Sequence, residues 1–138
     1  MATLHGSLDS SRSPLVTIAV SAPSGPSHFV DALVDTGFTG FVQLPERRAQ
    51  ELGLAPQAVS EAQYADGRTG TIPLAWAKVT LGPEVREGFA HIQSGSDEVI
   101  VGVELLLKAW SCWSTPLLTY RPGSHGSEAA AANLAWVR

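Results

Sequence analysis

Residues 32–40, ALVDTGFTG, form the most informative stretch of this 138-residue chain. Apolar residues with strand character lead directly into Asp35, so we expect a strand to deliver its carboxylate to a tight turn. Gly37 permits backbone angles in such a turn that other residues avoid. Backbone N–H groups and the Thr36 hydroxyl can then donate hydrogen bonds around the carboxylate. This frame holds an acidic side chain firmly, as acid–base catalysis requires, although Asp-Thr-Gly alone is also a common β-turn sequence.

The rest of the chain consists of short apolar runs separated by 13 glycines and nine prolines, a rhythm typical of a mostly β protein with one or two short helices. Period-two alternation predicts strands over residues 14–21, 28–34, 41–44, 59–65, 69–81, 85–92 and 117–120. Helix signals mark residues 45–54 and 103–110. Asp66-Gly67 predicts the tight turn of a long hairpin, and Pro73 makes the second arm of that hairpin an edge or a bulged strand.

Composition excludes several classes of protein. A hydrophobic content of 44% argues against wholesale disorder, and a formal charge of −4 argues against a nucleic-acid binder, which needs a basic face. The single cysteine, Cys112, excludes an internal disulfide framework. Residues 1–13 contain no apolar run of the kind a signal peptide needs, and no apolar stretch is long enough for a membrane span. We therefore expect a cytoplasmic protein without a membrane partner.

The length fits one domain, which we place at residues 14–120. A flexible segment, residues 1–13, precedes it. A tail, residues 121–138, follows it and is polar and then alanine-rich, so it is predicted to be disordered or weakly helical and to contain no strand.

A second glycine-terminated apolar run strengthens the interpretation of the Asp35 stretch. This run is Val99-Ile100-Val101-Gly102 (VIVG). Its glycine stands 67 residues after Asp35, and a predicted helix follows it. The long hairpin with Asp66-Gly67 at its tip lies between the two.

This ordered set resembles the retroviral-type aspartic proteases, or retropepsins, and their single-domain bacterial relatives. The resemblance covers roughly residues 14–120. The matching pieces are Leu33-Val34-Asp35-Thr36-Gly37, the hairpin residues Tyr64, Ala65, Asp66 and Gly67, and the apolar-Gly segment Ile100, Val101 and Gly102. In that family they correspond to the catalytic loop, the flap, and the segment before the C-terminal helix.

The resemblance implies a closed acid-protease β barrel with a flap hairpin, active only as a homodimer. Each subunit supplies one aspartate, here Asp35, and two carboxylates about 3 Å apart share one proton. Thr36 would hydrogen-bond across the two subunits, and Gly37 would let the loop approach the substrate. The flap would close over an extended peptide or protein substrate, whose peptide bond is hydrolysed by a water activated between the two aspartates. No cofactor and no metal is implied.

Two features depart from the family pattern. Phe38 stands where the family usually has a small residue, so its ring would fill a substrate pocket or alter the polar support of the aspartates. The predicted absence of a strand in residues 121–138 means that the dimer would be built differently from the retroviral enzymes, whose terminal strands join the subunits. Phe38 therefore keeps open a second hypothesis, a catalytically silent dimeric module that binds peptides or acts as a scaffold.

Other functional classes find less support in the sequence. The Asp35 stretch also resembles the phosphate loop of sugar kinases, but that fold needs two lobes. No nucleotide-binding glycine motif is present. The histidines, His5, His28, His91 and His125, are too isolated in the sequence for a zinc site, and we expect each to lie at the surface or in a strand.

Overall fold

The strands follow the alternation of apolar and polar residues in the sequence. The computed structural model describes residues 6–63 and 66–109, and the backbone of residues 117–121 and 133–137. The strands are β1 (Ser7–Leu8), β2 (Pro14–Ser21), β3 (His28–Val34), β4 (Val42–Pro45), β5 (Ala58–Gln63), β6 (Thr69–Leu81), β7 (Glu84–Gln93), β8 (Ile100–Val101), β9 (Leu117–Arg121) and β10 (Asn133–Val137). The helices are α1 (Glu46–Glu51) and α2 (Val103–Ala109). The prediction of a mostly β fold with short helices is confirmed.

The first eight strands form one sheet that closes on itself. Their order is β1-β2-β3-β8-β4-β7-β6-β5, and an additional pairing of β2 with β6 joins six of them into a ring. Alternate residues of β6 and β7 point inward, as Ala75, Ala77 and Ala90 do, and all three are fully buried. The larger core side chains include Ile18, Phe41, Leu44 and Leu105. Burial of this apolar interior is the main source of the fold's stability.

Strand β8 occupies the position that places the Asp35 loop. It lies between β3 and β4, parallel to β3 and antiparallel to β4. The chain therefore leaves β3, passes through the loop of residues 35–41, and returns as β4 on the far side of β8. Strand β8, which comes from much later in the sequence, thus lies between the two strands that begin and end the loop, and it supports the loop.

The hairpin of β5 and β6 reaches beyond the closed ring. Residues 69–73 of β6 pair only with β5, whereas β6 also pairs with β7 from Leu74 onward. Pro73 is the last residue of the segment that pairs with β5 alone, so its missing N–H costs no hydrogen bond to β7. The prediction of an edge strand is therefore correct for residues 69–73 and wrong for the rest of β6, which is central.

Both ends of the chain contain strands that the sequence did not predict. In the N-terminal segment, β1 pairs with β2, and the Asp9 side chain accepts hydrogen bonds from the N–H groups of Ser11 and Ser13, both at 2.8 Å. In the tail, β10 pairs with β9 in antiparallel register, from Asn133 opposite Arg121 to Val137 opposite Leu117. The prediction that residues 121–138 contain no strand is therefore wrong. The pairing partner, rather than the local sequence, determines strand formation there.

Both helices are short and lie where the sequence placed them. Helix α1 is shorter than the predicted range 45–54 because Gly53 leaves the helical conformation at φ +69°. Helix α2 begins directly after Gly102. Neither helix of the described chain has the length or the apolar character needed to span a membrane.

We predict that Gly102→Ala destabilises the fold strongly. An added Cβ would collide with the carbonyl oxygen of Gly40 and would lie 2.6 Å from Cδ1 of Phe38. Because a backbone atom blocks the space, the loop has to move, and we expect a loss of about 3 kcal/mol in urea unfolding. The matched control is Gly25→Ala. Its added Cβ would contact only Ala22, and the nearest atom, the Ala22 Cβ, would lie 3.3 Å away. Equal unfolding midpoints for Gly102→Ala and the parent would contradict the close approach.

Candidate active site

The Asp35 carboxylate stands at the end of β3, where the strand gives way to a turn. It is half-buried, and its Oδ1 accepts a hydrogen bond of 2.8 Å from the N–H of Gly37. The Phe38 N–H donates to the Asp35 carbonyl at 3.2 Å, which closes the turn. The Asp35 N–H itself donates to the carbonyl of Val101 at 3.1 Å. One carboxylate oxygen is thus oriented by a backbone N–H, as the sequence predicted, whereas the Thr36 hydroxyl, the other predicted donor, makes no hydrogen bond to it.

The remainder of the loop is attached to the segment that follows β8. The N–H groups of Gly102, Val103 and Glu104 each donate a hydrogen bond to a backbone carbonyl of the loop. Their acceptors are the carbonyls of Phe41 at 3.1 Å, Phe38 at 2.8 Å and Gly40 at 3.1 Å, respectively. These bonds join two segments more than 60 residues apart in sequence. The structure thus brings the Asp35 stretch and the apolar-Gly segment into direct contact.

The Phe38 ring has a clear structural place. It covers the glycines Gly40 and Gly102, since a Cβ on either residue would lie within 2.8 Å of a ring carbon. The ring also makes an edge-to-face contact with His91, with centroids 5.2 Å apart. Phe38 thus fills the space that two glycines leave open, and in doing so it forms part of the wall of a cavity.

That cavity, which we call the hairpin cavity, has a volume of about 520 Å³. It lies between the Asp35 loop and the projecting hairpin. Its described lining comprises Gly37, Phe38 and Thr39 from the loop, Ser60, Glu61, Ala62, Gln63 and Ile72 from the hairpin, and Gln43, His91 and Gln93 from β4 and β7. Residues of both hairpin strands thus line the same cavity as the Asp35 loop.

A second cavity, the strand-end cavity, has a volume of about 330 Å³ and lies along β3, the strand that leads to Asp35. Leu33, two residues before Asp35, lines it together with Val99. The other lining residues are mostly charged: Asp9, Asp31, Arg48, Asp97 and Glu98, with Ser13, Leu15 and Val30.

The remaining predicted site residues are placed as follows. The Thr36 side chain is exposed and makes no hydrogen bond to another described residue. No described residue therefore competes with the hydrogen bond that Thr36 is predicted to make across a dimer. Asp66 and Gly67 belong to the turn of the hairpin, where Gly67 has φ +83° and Asp66 pairs with Arg68 at 2.6 Å. Nothing in the described chain bonds them to the Asp35 loop. Tyr64 and Ala65 lie outside the described residues.

Three polar residues of the hairpin cavity were missed as site residues. Gln43, His91 and Gln93 occupy the outward positions of β4 and β7, between buried apolar residues. The alternation in the sequence marks them as outward-facing, and His91 was predicted as a surface or strand residue. The pairing of β4 with β7, which sets Gln43 beside His91, is the information that the sequence lacks.

No group of three or more His, Cys, Asp or Glu side chains in the described part of the chain is arranged to hold a metal ion. A search with models of protein families found no match for the chain, and a search of curated proteins found none either. The chemistry of the site therefore has to be argued from its own geometry.

We predict that His91 makes the fold less stable in acid. Burial lowers the pKa of His91 below its usual value of 6.5, and the carboxylate of Glu104 opposes this shift. The unfolded chain therefore takes up a proton at higher pH than the folded chain does. Stability is fully present above pH 6.5 and declines as the pH falls through the lowered value.

Urea unfolding of the parent and of His91→Gln, between about pH 7.5 and pH 5.5, measures this effect. The urea midpoint of the parent should fall on acidification, and the fall should be smaller in His91→Gln. The exposed His28 provides the matched control, since His28→Gln should leave the decline unchanged. Parallel curves for the parent and His91→Gln would rule out the assigned role.

Proposed function

We propose that the chain is an aspartic endopeptidase of the retropepsin type, in which the closed ring of strands represents the acid-protease fold and the β5–β6 hairpin is the flap. The observation that carries the proposal is the setting of Asp35. Its carboxylate is half-buried, is oriented by the Gly37 N–H, and lies on a loop bonded to the apolar-Gly segment at Gly102. Backbone donors that hold a carboxylate in one position reduce the reorganisation needed during catalysis.

The proposed active unit is a homodimer. The chain contains a single Asp-Thr-Gly sequence, and the aspartic protease reaction uses two carboxylates. A second copy supplies the other Asp35 across a two-fold axis, which makes the interface isologous. The exposure of Thr36 and Gly37 supports this arrangement, because the residues at the tip of the loop remain available to a partner.

In the proposed reaction, the ionised carboxylate of the pair removes a proton from a water molecule, whose oxygen attacks the carbonyl carbon of the peptide. The protonated carboxylate donates its proton to the carbonyl oxygen, so a neutral tetrahedral intermediate forms. When the C–N bond breaks, one carboxyl group transfers a proton to the leaving nitrogen, and the other carboxylate removes a proton from a hydroxyl of the intermediate, whose oxygen becomes the new carbonyl oxygen. The products are a carboxylic acid and an amine, and no cofactor or metal takes part.

The proposed substrate is an extended segment of a peptide or protein. The hairpin cavity is open between the Asp35 loop and β5, and β5 pairs only with β6 in the described sheet. A strand in this groove would find unpaired backbone groups along β5 on one side and residues 37–39, which directly follow Asp35 and Thr36, on the other. The strands of the hairpin would exclude water from the reacting bond.

We predict that Asp35→Asn abolishes peptide hydrolysis and preserves the fold. Asparagine keeps the shape of the side chain but cannot act as a base, so kcat/KM should fall at least about a thousandfold. The matched control is Asp31→Asn on the same strand, where the exposed carboxylate accepts a hydrogen bond from Thr17. It should retain activity to within a few fold.

The assay uses a mixed peptide pool at mildly acidic pH, with and without a metal chelator and a statine-type inhibitor. Inhibition by statine together with insensitivity to the chelator supports the dyad. A parent protein that dimerises and binds peptides but cleaves none would favour the alternative hypothesis of a silent peptide-binding module.

We predict that Thr36→Ala weakens the dimer. Loss of the hydroxyl leaves its partner across the interface unpaired, which costs roughly 1 to 3 kcal/mol of association free energy. Sedimentation equilibrium should show a dissociation constant roughly 5 to 150 times higher, with a parallel loss of activity at low protein concentration. Thr36→Ser, which keeps the hydroxyl, should restore both. A Thr36→Ala protein that associates and cleaves like the parent would refute the assigned role.

A further inference from the structure

Three polar, uncharged side chains form the sheet side of the hairpin cavity. Gln43 of β4 is the register partner of His91 in β7, and Gln93 follows His91 by two residues on the same face of that strand. All three residues are half-buried and line the cavity. We call them the polar floor. Each can both donate and accept hydrogen bonds, because a carboxamide has both kinds of group and a neutral imidazole has one nitrogen of each kind.

The polar floor has hydrogen-bonding groups that the described chain leaves unused. Gln43 and His91 make no hydrogen bond with another described residue. Gln93 makes one long bond, which its Nε2 donates to the carbonyl of Ser94 at 3.4 Å. A ligand that covers the floor must pair with these groups, since polar groups that lose water without gaining a partner cost free energy.

The hairpin contributes an uncharged wall on the other side of the cavity. Ser60 of β5 is the register partner of Ile72 in β6, and both line the cavity. Along β5, Ser60 and Ala62 are half-buried and alternate with the exposed Glu61. Because successive side chains of a strand point to opposite faces, the Glu61 carboxylate lies on the far face of the hairpin.

No charged side chain among the described lining residues therefore faces the cavity at neutral pH. Burial lowers the pKa of His91 below 6.5, and the Glu104 carboxylate, which opposes this shift, does not line the cavity. The imidazole is thus uncharged at neutral pH. A lysine or glutamate side chain that entered the cavity would lose water and gain no opposite charge.

The apolar part of the lining narrows the choice further. Phe38 and Ile72 offer surfaces on which methylene groups can pack. A purely apolar side chain would pack there but would also cover the polar floor without pairing with it. A side chain that ends in a carboxamide meets both demands, because it carries methylene groups and then a donor and an acceptor at its end.

We infer that the hairpin cavity selects extended peptides by an uncharged amide side chain, glutamine or asparagine, whose carboxamide hydrogen-bonds with Gln43, His91 and Gln93. This inference rests on the proposed function, because it takes the groove as the binding site of the extended substrate. It adds the substrate class, a polypeptide segment that carries such an amide.

Binding to the Asp35→Asn protein tests the inference independently of cleavage. The probes are fluorescent peptides that differ only in carrying glutamine, glutamate, lysine or methionine at alternate positions, and anisotropy at about pH 7.5 measures their affinity. These four side chains are similar in length. The glutamine peptide should bind at least about fivefold more tightly than each of the others. Added salt should leave this order unchanged, because no ion pair is involved.

A double variant assigns the preference to the polar floor. Gln43→Met with Gln93→Met removes both carboxamides and keeps unbranched, flexible side chains in their place. It should weaken binding of the glutamine peptide at least about fivefold and should not weaken binding of the methionine peptide, so that the preference between these two is lost or reversed. A merely structural role would weaken all four peptides alike.

The matched control is Gln50→Met, which removes an exposed carboxamide of α1 that does not line the hairpin cavity. It should change none of the four affinities. Urea unfolding shows whether the double variant is folded. If it is not, the single variants Gln43→Met and Gln93→Met replace it, and each should reduce the preference for glutamine over methionine by roughly two- to fivefold.

The outcomes separate the inference from the proposed function. Equal binding of the four peptides, or a preference for glutamine that survives in the folded methionine variants, overturns the inference even if the parent cleaves peptides. Amide-selective binding by a protein whose parent form cleaves no peptide supports the inference and overturns the protease. Failure of every peptide to bind overturns the amide site.

Discussion

Four backbone hydrogen bonds connect the loop after β3 with the segment after β8, and the arrangement of the site depends on them. The donors and acceptors are main-chain groups of Asp35, Phe38, Gly40 and Phe41 on one side and of residues 101–104 on the other. Such bonds require the two backbones to approach closely, and only glycine at position 102 leaves the necessary space. Because these groups are paired with each other, the loop cannot relax without exposing unpaired donors and acceptors.

This connection changes the interpretation of Phe38. In the sequence, a phenyl ring close to the aspartate looks like an obstacle to catalysis. In the structure, the ring covers Gly40 and Gly102 and contacts His91 edge-on, so it completes the packing of the loop. The bulk of Phe38 is therefore accommodated by neighbouring glycines, and its ring supplies one wall of the hairpin cavity.

Strand positions could be predicted well where one face of a strand is buried. The bounds of β2 and β3 agree with the prediction at every residue, because alternation of apolar and polar residues leaves little freedom in register. The prediction was less accurate where pairing partners decide the structure. The strand β10, the short β1 and the central position of β6 beyond Pro73 all depend on strands far away in sequence.

The mostly β class, the strand that ends at Asp35 and the turn at Gly37 could be read from the sequence, because they depend on local patterning and on the backbone freedom of glycine. The position of β8 between β3 and β4 depends on pairing between distant segments, and so does the cavity that Gln43, His91 and Gln93 share with the hairpin. The charge of −4 was also visible in the composition, but the grouping of Asp9, Asp31, Asp97 and Glu98 around one cavity was not. Composition records how many carboxylates a chain contains, whereas the closing of the sheet determines which of them lie together.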